Sequence, residues 1–445
     1  MAIDARAVIT IVFFVALASY VFAKRREMQV HKVVPPLLFF SMYRTTWGLK
    51  AMDRWAAKHG KLLTRLGTAG IVAGFLGMGF ICYALVKSLF SLFAVPEAPA
   101  GVGLVLPFKA KGIFYVPIEY WVICIFIIAL VHEFAHGVIA RAHGIKVKSS
   151  GFAFAGTTFK ALGIILLLIG LWNNVRHPGA SFSILSSSGT LVLMGIALII
   201  VSFFVNTIAP IIPAAFVEPD EKALRKRPLR QQLAVFGAGP FSNVIVGLIA
   251  LGLLWPAALV GADMVEANGV EITNFVDGNF PAKQAGITEG EIVEEVDGVP
   301  TPYLENLSRE LQKRKPGDSV QLKTDKGQYT LTLAKNPDNE TSPYVGAFLS
   351  QSSHIKPGIR ERLWVLPDVL LWVSGLLLFL FILNLGIGLF NLVPIGPLDG
   401  GRMLHAVLMA YVEKDKAMQL FSMIGLVFVI VVLMNILFPF VKPLF

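Results

Sequence analysis

Charge is scarce in this 445-residue chain, in which only 15% of residues are Asp, Glu, Lys or Arg, whereas soluble globules carry about a quarter. A water-soluble globule is therefore excluded. Cysteine is nearly absent as well: Cys82 and Cys124 fall in separate apolar runs, which excludes a disulfide framework and leaves the redox compartment open. Acids are fewer than bases, 29 against 39, for a net charge of +10. No internal repeat or low-complexity tract stands out, which removes solenoid architectures. What fills the chain instead is apolar: 55% of residues are hydrophobic and the mean hydropathy is +0.68. Stretches able to cross about 30 Å of hydrocarbon lie near 7–23, 66–86, 119–140, 158–174, 187–210, 233–259, 367–393 and 418–440. The expected fold class is thus a polytopic α-helical membrane protein of about eight transmembrane helices.

Lys and Arg favour cytoplasmic loops. Placing 24–65, 141–160, 211–232 and 400–417 inside gathers 22 basic residues there and leaves few outside, so both termini are expected to be extracytoplasmic. The positive charge then reads as topology and as contact with anionic lipid, with no nucleic-acid partner required. Lys24, Arg25 and Arg26 follow the first apolar run rather than precede it, the reverse of a secretory signal, so an uncleaved anchor is expected.

One region breaks the membrane pattern. From Gly261 to Gln351, turn signals such as Asp297-Gly298 and Pro316-Gly317-Asp318 separate short alternating runs such as Ser319 to Lys323, as in a small β-rich domain. Residues 303–313 read as a helix, 336–344 as a surface loop and 352–363 as the linker back to the membrane. The expected organisation is an anchor and basic loop over 1–65, a membrane core over 66–260 containing an inserted helix pair at about 157–210, an inserted domain over 261–351, and the rest of the core over 352–445.

The densest chemistry lies in the third apolar run, which contains His132-Glu133-Phe-Ala-His136. Residues four apart share a helix face, so both imidazoles can reach one ion while Glu133 reaches a water beside it. Each charged group at mid-bilayer costs about 2.5 to 3.5 kcal/mol on insertion scales, which argues that this trio is functional rather than a set of core histidines at a helix end. A tetrahedral zinc site asks for a third protein ligand. The run Asn391-Leu-Val-Pro-Ile-Gly-Pro-Leu-Asp-Gly-Gly-Arg402 holds one acid, Asp399, in proline-broken backbone of the kind tolerated at membrane depth only inside protein or beside a wet cavity. Asp399 is the expected third ligand, the competing reading being a helix cap. His405 and His143 are weaker candidates.

Together the His-Glu-x-x-His and the distant Asn-x-x-Pro-x-x-x-Leu-Asp-Gly resemble the site-2 protease family of intramembrane zinc metalloproteases. The resemblance implies Zn2+ held by His132, His136 and Asp399, with Glu133 as general base. Gly237-Ala-Gly-Pro-Phe-Ser-Asn243 is similar to that family's Gly-Pro-x-x-Asn segment, and Asn243 and Asn391 are thereby expected to hold substrate main chain or a developing oxyanion. Phe216-Val-Glu-Pro-Asp220 also looks like a family segment. Residues 280–298 resemble the central stretch of PDZ domains of membrane and periplasmic proteases, which take extended peptide as an added strand, with Gly269-Val-Glu-Ile272 implied as the loop and strand beside the groove.

About fifty residues between Phe154 and Ile211 depart from the family pattern and read as two further spans, which put in doubt the local architecture of the segment the family forms near 145–156. The function implied is hydrolysis of peptide bonds in or near the transmembrane helices of membrane-protein substrates, with the active site towards the cytoplasm and the PDZ-like domain outside. A metal- or proton-coupled transporter and a non-catalytic PDZ scaffold are the alternatives. The first leaves the appended domain unexplained and the second leaves Glu133 unexplained.

Overall fold

The computed structural model describes residues 19–20, 23–24, 26–34, 38–94, 103–107, 113–176, 187–204, 208–276, 278, 280–337 and 339–441; the expected first span lies almost entirely outside them. Two compact units divide the chain, one comprising Met1–Leu254 with Gly375–Phe445 and the other Trp255–Ser374.

The first unit opens with strands β1 (Gln29–Val34) and β2 (Leu38–Thr45), followed by the long helix α1 (Leu49–Ala94), which kinks at His59. Helix α2 (Ile118–Ala142) is capped by His143 and followed by Gly144, whose φ of +69° is one in which a side chain would be strained. Strand β3 (Val147–Thr158) leads into helices α3 (Phe159–Arg176) and α4 (Ser187–Phe204), and strand β4 (Ile208–Pro219) returns. The four strands form one sheet in the order β1-β2-β3-β4, which leaves β4 at an edge. Helix α5 (Leu229–Met264) follows. It lies against α1 at a glycine pair: a Cβ on Gly237 would stand 2.6 Å from the Gly70 carbonyl oxygen. Met52, Val138, Ile139, Val235 and Ala238 bury a common core among α1, α2 and α5.

The second unit is an antiparallel sheet of β5 (Val265–Phe275), β6 (Ile292–Val296), β7 (Ser319–Thr324), β8 (Gln328–Thr332) and β9 (Ala347–Ile355), with helix α6 (Leu304–Gln312) between β6 and β7 in sequence. Burial alternates strictly along β7, as a sheet with one wet face requires, and Val270, Val293, Leu307, Val320 and Leu322 form the core. The order is β8-β7-β6-β5-β9. Val270 and Glu271 are therefore paired on both sides, Val270 with Val293 of β6 and with Gln351 of β9. This corrects the expected groove strand: β5 is interior, and the edge on its side of the sheet belongs to β9. The expected loop at 336–344 is instead a strand pair, Ala334–Asn336 with Asn339–Tyr344, and the expected linker contributes the end of β9 and a short helix, Pro357–Leu363.

The chain then re-enters the first unit through α7 (Leu366–Phe390), an irregular turn at 391–398, α8 (Asp399–Tyr411) and α9 (Lys414–Val441). Among the described residues five helices are long and apolar enough to cross a membrane, and α3 contributes a shorter apolar segment; of the eight expected spans the first lies outside these residues. The run expected as one span over 187–210 divides, helix to Phe204 and strand from Ile208. Pro210 and Pro213 break the helix there, and a short apolar run does not distinguish strand from helix by hydropathy alone.

Candidate metal centre

Helix α2 carries His132, Glu133 and His136, and its spacing puts the two imidazoles one above the other, Nε2 to Nε2 at 3.1 Å. The turn 391–398 delivers the third group. Asn391 accepts, through its carbonyl, the Gly400 N–H at 2.8 Å, folding α8 tightly against the turn, so that a Cβ on Gly400 would fall 2.0 Å from the Leu392 carbonyl oxygen and one on Gly401 2.1 Å from that of Ile395. Only glycine permits that approach. Asp399 is thereby placed at the first position of α8 without capping it: Leu398 is the cap residue, and the Asp399 carboxylate lies 3.0 Å from His132 Nε2 and 3.4 Å from His136 Nε2. All three side chains are buried.

Donors bonded at 2.0 to 2.1 Å to a tetrahedral zinc stand about 3.3 Å apart, close to the three separations found here. Space for an ion is also built in. A Cβ on Gly239 of α5 would lie 2.4 Å from His136 Nε2 and 2.5 Å from His132 Nε2, so the missing side chain leaves room at the point where the donors converge. The residues therefore fit a tetrahedral cation, and His132, His136 and Asp399 form the one cluster of metal-ligating type among the described residues.

Glu133 faces the same cavity of about 1220 Å³ and accepts the Val217 backbone N–H at 3.0 Å. Strand β4 sits at the sheet edge and aims that amide away from the strand pairing. Asn391 also lines the cavity. Asn243, fully buried, does not: its amide meets the far side of the His132 ring, Nδ2 to Nδ1 at 3.2 Å. His136 Nδ1 donates to the Val235 carbonyl at 2.7 Å. Arg225, Arg227, Arg402 and His405 line the cavity's outer part, and His405 packs edge-on against Phe421. His143 follows the last turn of α2. Burial, with the charges of Arg227 and Arg230, holds its imidazole below the ordinary range, and neither of these histidines joins the donor cluster.

The family model for Peptidase family M50 matches residues 120–432, a segment that contains every residue of this centre. The chain belongs to peptidase family M50. With the geometry above, M50 membership implies Zn2+ as the cofactor and zinc metallopeptidase chemistry. Among curated proteins, an uncharacterized protein of Methanocaldococcus jannaschii is 25% identical over 369 residues, 82% of this chain and 77% of that one. Protease RseP of Yersinia pestis is 25% identical over 199 residues, 44% of this chain and 37% of its own length. Zinc metalloprotease RasP of Shouchella clausii is 25% identical over 235 residues, 43% of this chain and 54% of its own. The chain thus spans about a third to a half of these two proteases. Among solved structures, the PDZ domain of an SdrC-like protein from Listeria monocytogenes aligns at 21% identity with 18% of this chain and 87% of that domain, with a TM-score of 0.16.

Three residues of this M50 centre carried no role in the sequence: Val235, and Val217 and Gly239, which fall within family-like segments. The first two act through backbone atoms and leave no side-chain signal. Gly239 had one, since glycine inside an apolar helix costs about 1 kcal/mol against alanine and marks a packing or functional need.

Proposed function

We propose that the protein is an intramembrane zinc metalloendopeptidase that hydrolyses a peptide bond within or near a transmembrane helix of membrane-protein substrates. The observation that supports this most is the convergence of His132, His136 and Asp399 at tetrahedral spacing beside a carboxylate held ready by the edge strand. Bound zinc supplies acidification of water and polarisation of the scissile carbonyl. Glu133 takes the attacking water's proton and returns it to the leaving amine, with the Val217 amide fixing the carboxylate within reach of both. The carbonyls of a substrate helix are already hydrogen-bonded, so the target unwinds before it reacts and enters the cavity as extended chain. Asn391, on the cavity wall, is positioned to hold that chain or the developing oxyanion.

The 22 basic residues of the loops assigned to the cytoplasm support a sidedness in which both termini and the PDZ-like unit are extracytoplasmic and cleavage occurs towards the cytoplasmic leaflet. The open edge of β9 is the strand that supports binding of extended peptide to that unit. The test is cleavage of a single-span helical substrate by the purified full chain. Glu133→Gln is expected to lower the rate by about 100-fold or more with zinc content unchanged, and a chelator is expected to abolish cleavage. Cleavage that survives Glu133→Gln at the wild-type rate would overturn the assignment.

A further inference from the structure

One stripe of α5 addresses both histidines. Val235, Gly239 and Asn243 succeed each other at intervals of four and so share a helix face, matching the interval between His132 and His136 on α2. Val235 offers a carbonyl to His136 Nδ1 at 2.7 Å, Gly239 leaves the gap beside both Nε2 atoms, and Asn243 presents its amide to His132 Nδ1 at 3.2 Å. The two outer contacts differ in kind. A carbonyl accepts only, so His136 is fixed with its proton on Nδ1 and its Nε2 lone pair towards the donor cluster. An amide has two ends, one donating and one accepting.

With Nδ2 towards the ring, Asn243 donates to His132 Nδ1. The single proton of the neutral imidazole is then on Nε2, directed at the Asp399 carboxylate 3.0 Å away, and the Asn243 Oδ1 is buried without a hydrogen-bond partner. That arrangement satisfies His132 but withholds its lone pair from a cation. Ligation moves the proton to Nδ1, where it would meet the amide N–H2 head on. A half-turn of the amide about its Cβ–Cγ bond leaves the heavy-atom outline nearly unchanged and brings the orphaned oxygen to the Nδ1–H.

We propose that Asn243 is the positioning residue of His132: its amide oxygen accepts the Nδ1–H in the metal-loaded protein and so holds Nε2 on the ion, while its nitrogen serves the metal-free ring. This rests on the zinc site proposed above and assigns Asn243 to the far side of a ligand, away from substrate. Partners of this kind typically alter metal affinity by about 10- to 100-fold when removed.

The experiment is zinc affinity of the purified full chain, measured by competition with a chelator, for wild type, Asn243→Leu, Asn243→Asp and Asn384→Leu. Asn384 is an equally buried asparagine of α7 whose amide donates to the Leu380 carbonyl of its own helix, and it controls for the cost of replacing a buried amide. Asn243→Leu is expected to weaken zinc by about 10- to 100-fold, and Asn243→Asp, a permanent acceptor, to remain within about threefold of wild type. Asn384→Leu is expected to leave affinity unchanged. Equal affinity of Asn243→Leu and wild type would overturn the proposal, as would equal losses in Asn243→Leu and Asn243→Asp or an equal loss in Asn384→Leu. Wild-type protein that binds no zinc would instead overturn the site itself.

Discussion

Each of the two units buries a carboxylate, and they satisfy it in opposite ways. In the β-rich unit Glu291 accepts from Thr288 N and Oγ1 at 2.8 and 2.7 Å, from Thr324 Oγ1 at 2.8 Å and from Tyr329 OH at 3.3 Å. Every partner is a donor, so the arrangement is complete within the protein. In the membrane unit Asp399 faces two imidazole nitrogens that also face each other. With the His132 proton on Nε2 and directed at the carboxylate, the three groups share a single donor, and a cation that takes all three lone pairs completes them. Buried polarity is structural where every acceptor has its own donor and points to a ligand where three groups share one proton.

The sharpest way to break this comparison is to fill the space the acceptors share. Gly239→Ala places a methyl group within 2.6 Å of both His132 and His136 Nε2, well inside van der Waals contact. It is expected to abolish zinc binding, measured as metal content of the purified chain, while the far-ultraviolet circular dichroism stays that of wild type. Full zinc content in Gly239→Ala would mean that the ion, if any, lies elsewhere.

A smaller effect is expected at Val217. Its amide is spent on Glu133 rather than on the sheet, and β4 is an edge strand, where proline is tolerated when the lost N–H points away from the ladder. Val217→Pro deletes a hydrogen bond to a charged group, worth about 1.5 to 3 kcal/mol, which corresponds to a roughly 10- to 100-fold lower kcat with zinc affinity unchanged. An unaltered kcat would show that Glu133 needs no such support.

How far these features could be read beforehand follows the same division. His132, Glu133, His136 and Asp399 announced themselves because polar side chains stand out against an apolar background, and the structure gathers the three expected ligands. Helices α2, α5, α7 and α9 were legible from hydropathy and length. Strands β3 and β4 were not: residues 208–219 continue an apolar run broken by Pro210 and Pro213, and a short apolar run does not by itself tell a strand from the end of a helix. The contact of Asn243 with His132 Nδ1 was not legible for a related reason, since the sequence shows that an amide is near the site but not which side of a ring it meets. Backbone contributions from Val217 and Val235 carry no residue preference strong enough to see.

The smallest expected effect sharpens the other side of the comparison. Burial works against ionising Glu291, but the bonds from Thr288, Thr324 and Tyr329 outweigh it and hold its carboxyl below the ordinary value of 4.5. A depressed folded pKa contributes stability that is fully present above the unfolded value and is lost as pH falls through the folded one. Glu291→Gln keeps one acceptor but turns an N–H2 towards hydroxyl donors, and it is expected to cost on the order of 1 to 3 kcal/mol at neutral pH. Hydrogen exchange of the amides around 288–292 in the full chain reads this locally. Protection should be greater in wild type at pH 7, and the gap should close as the pH drops below about 4.5, because protonated wild type then resembles the variant. A gap that stays constant from pH 7 to pH 3 would show that the carboxylate's charge contributes nothing, and that Glu291 is held by shape alone.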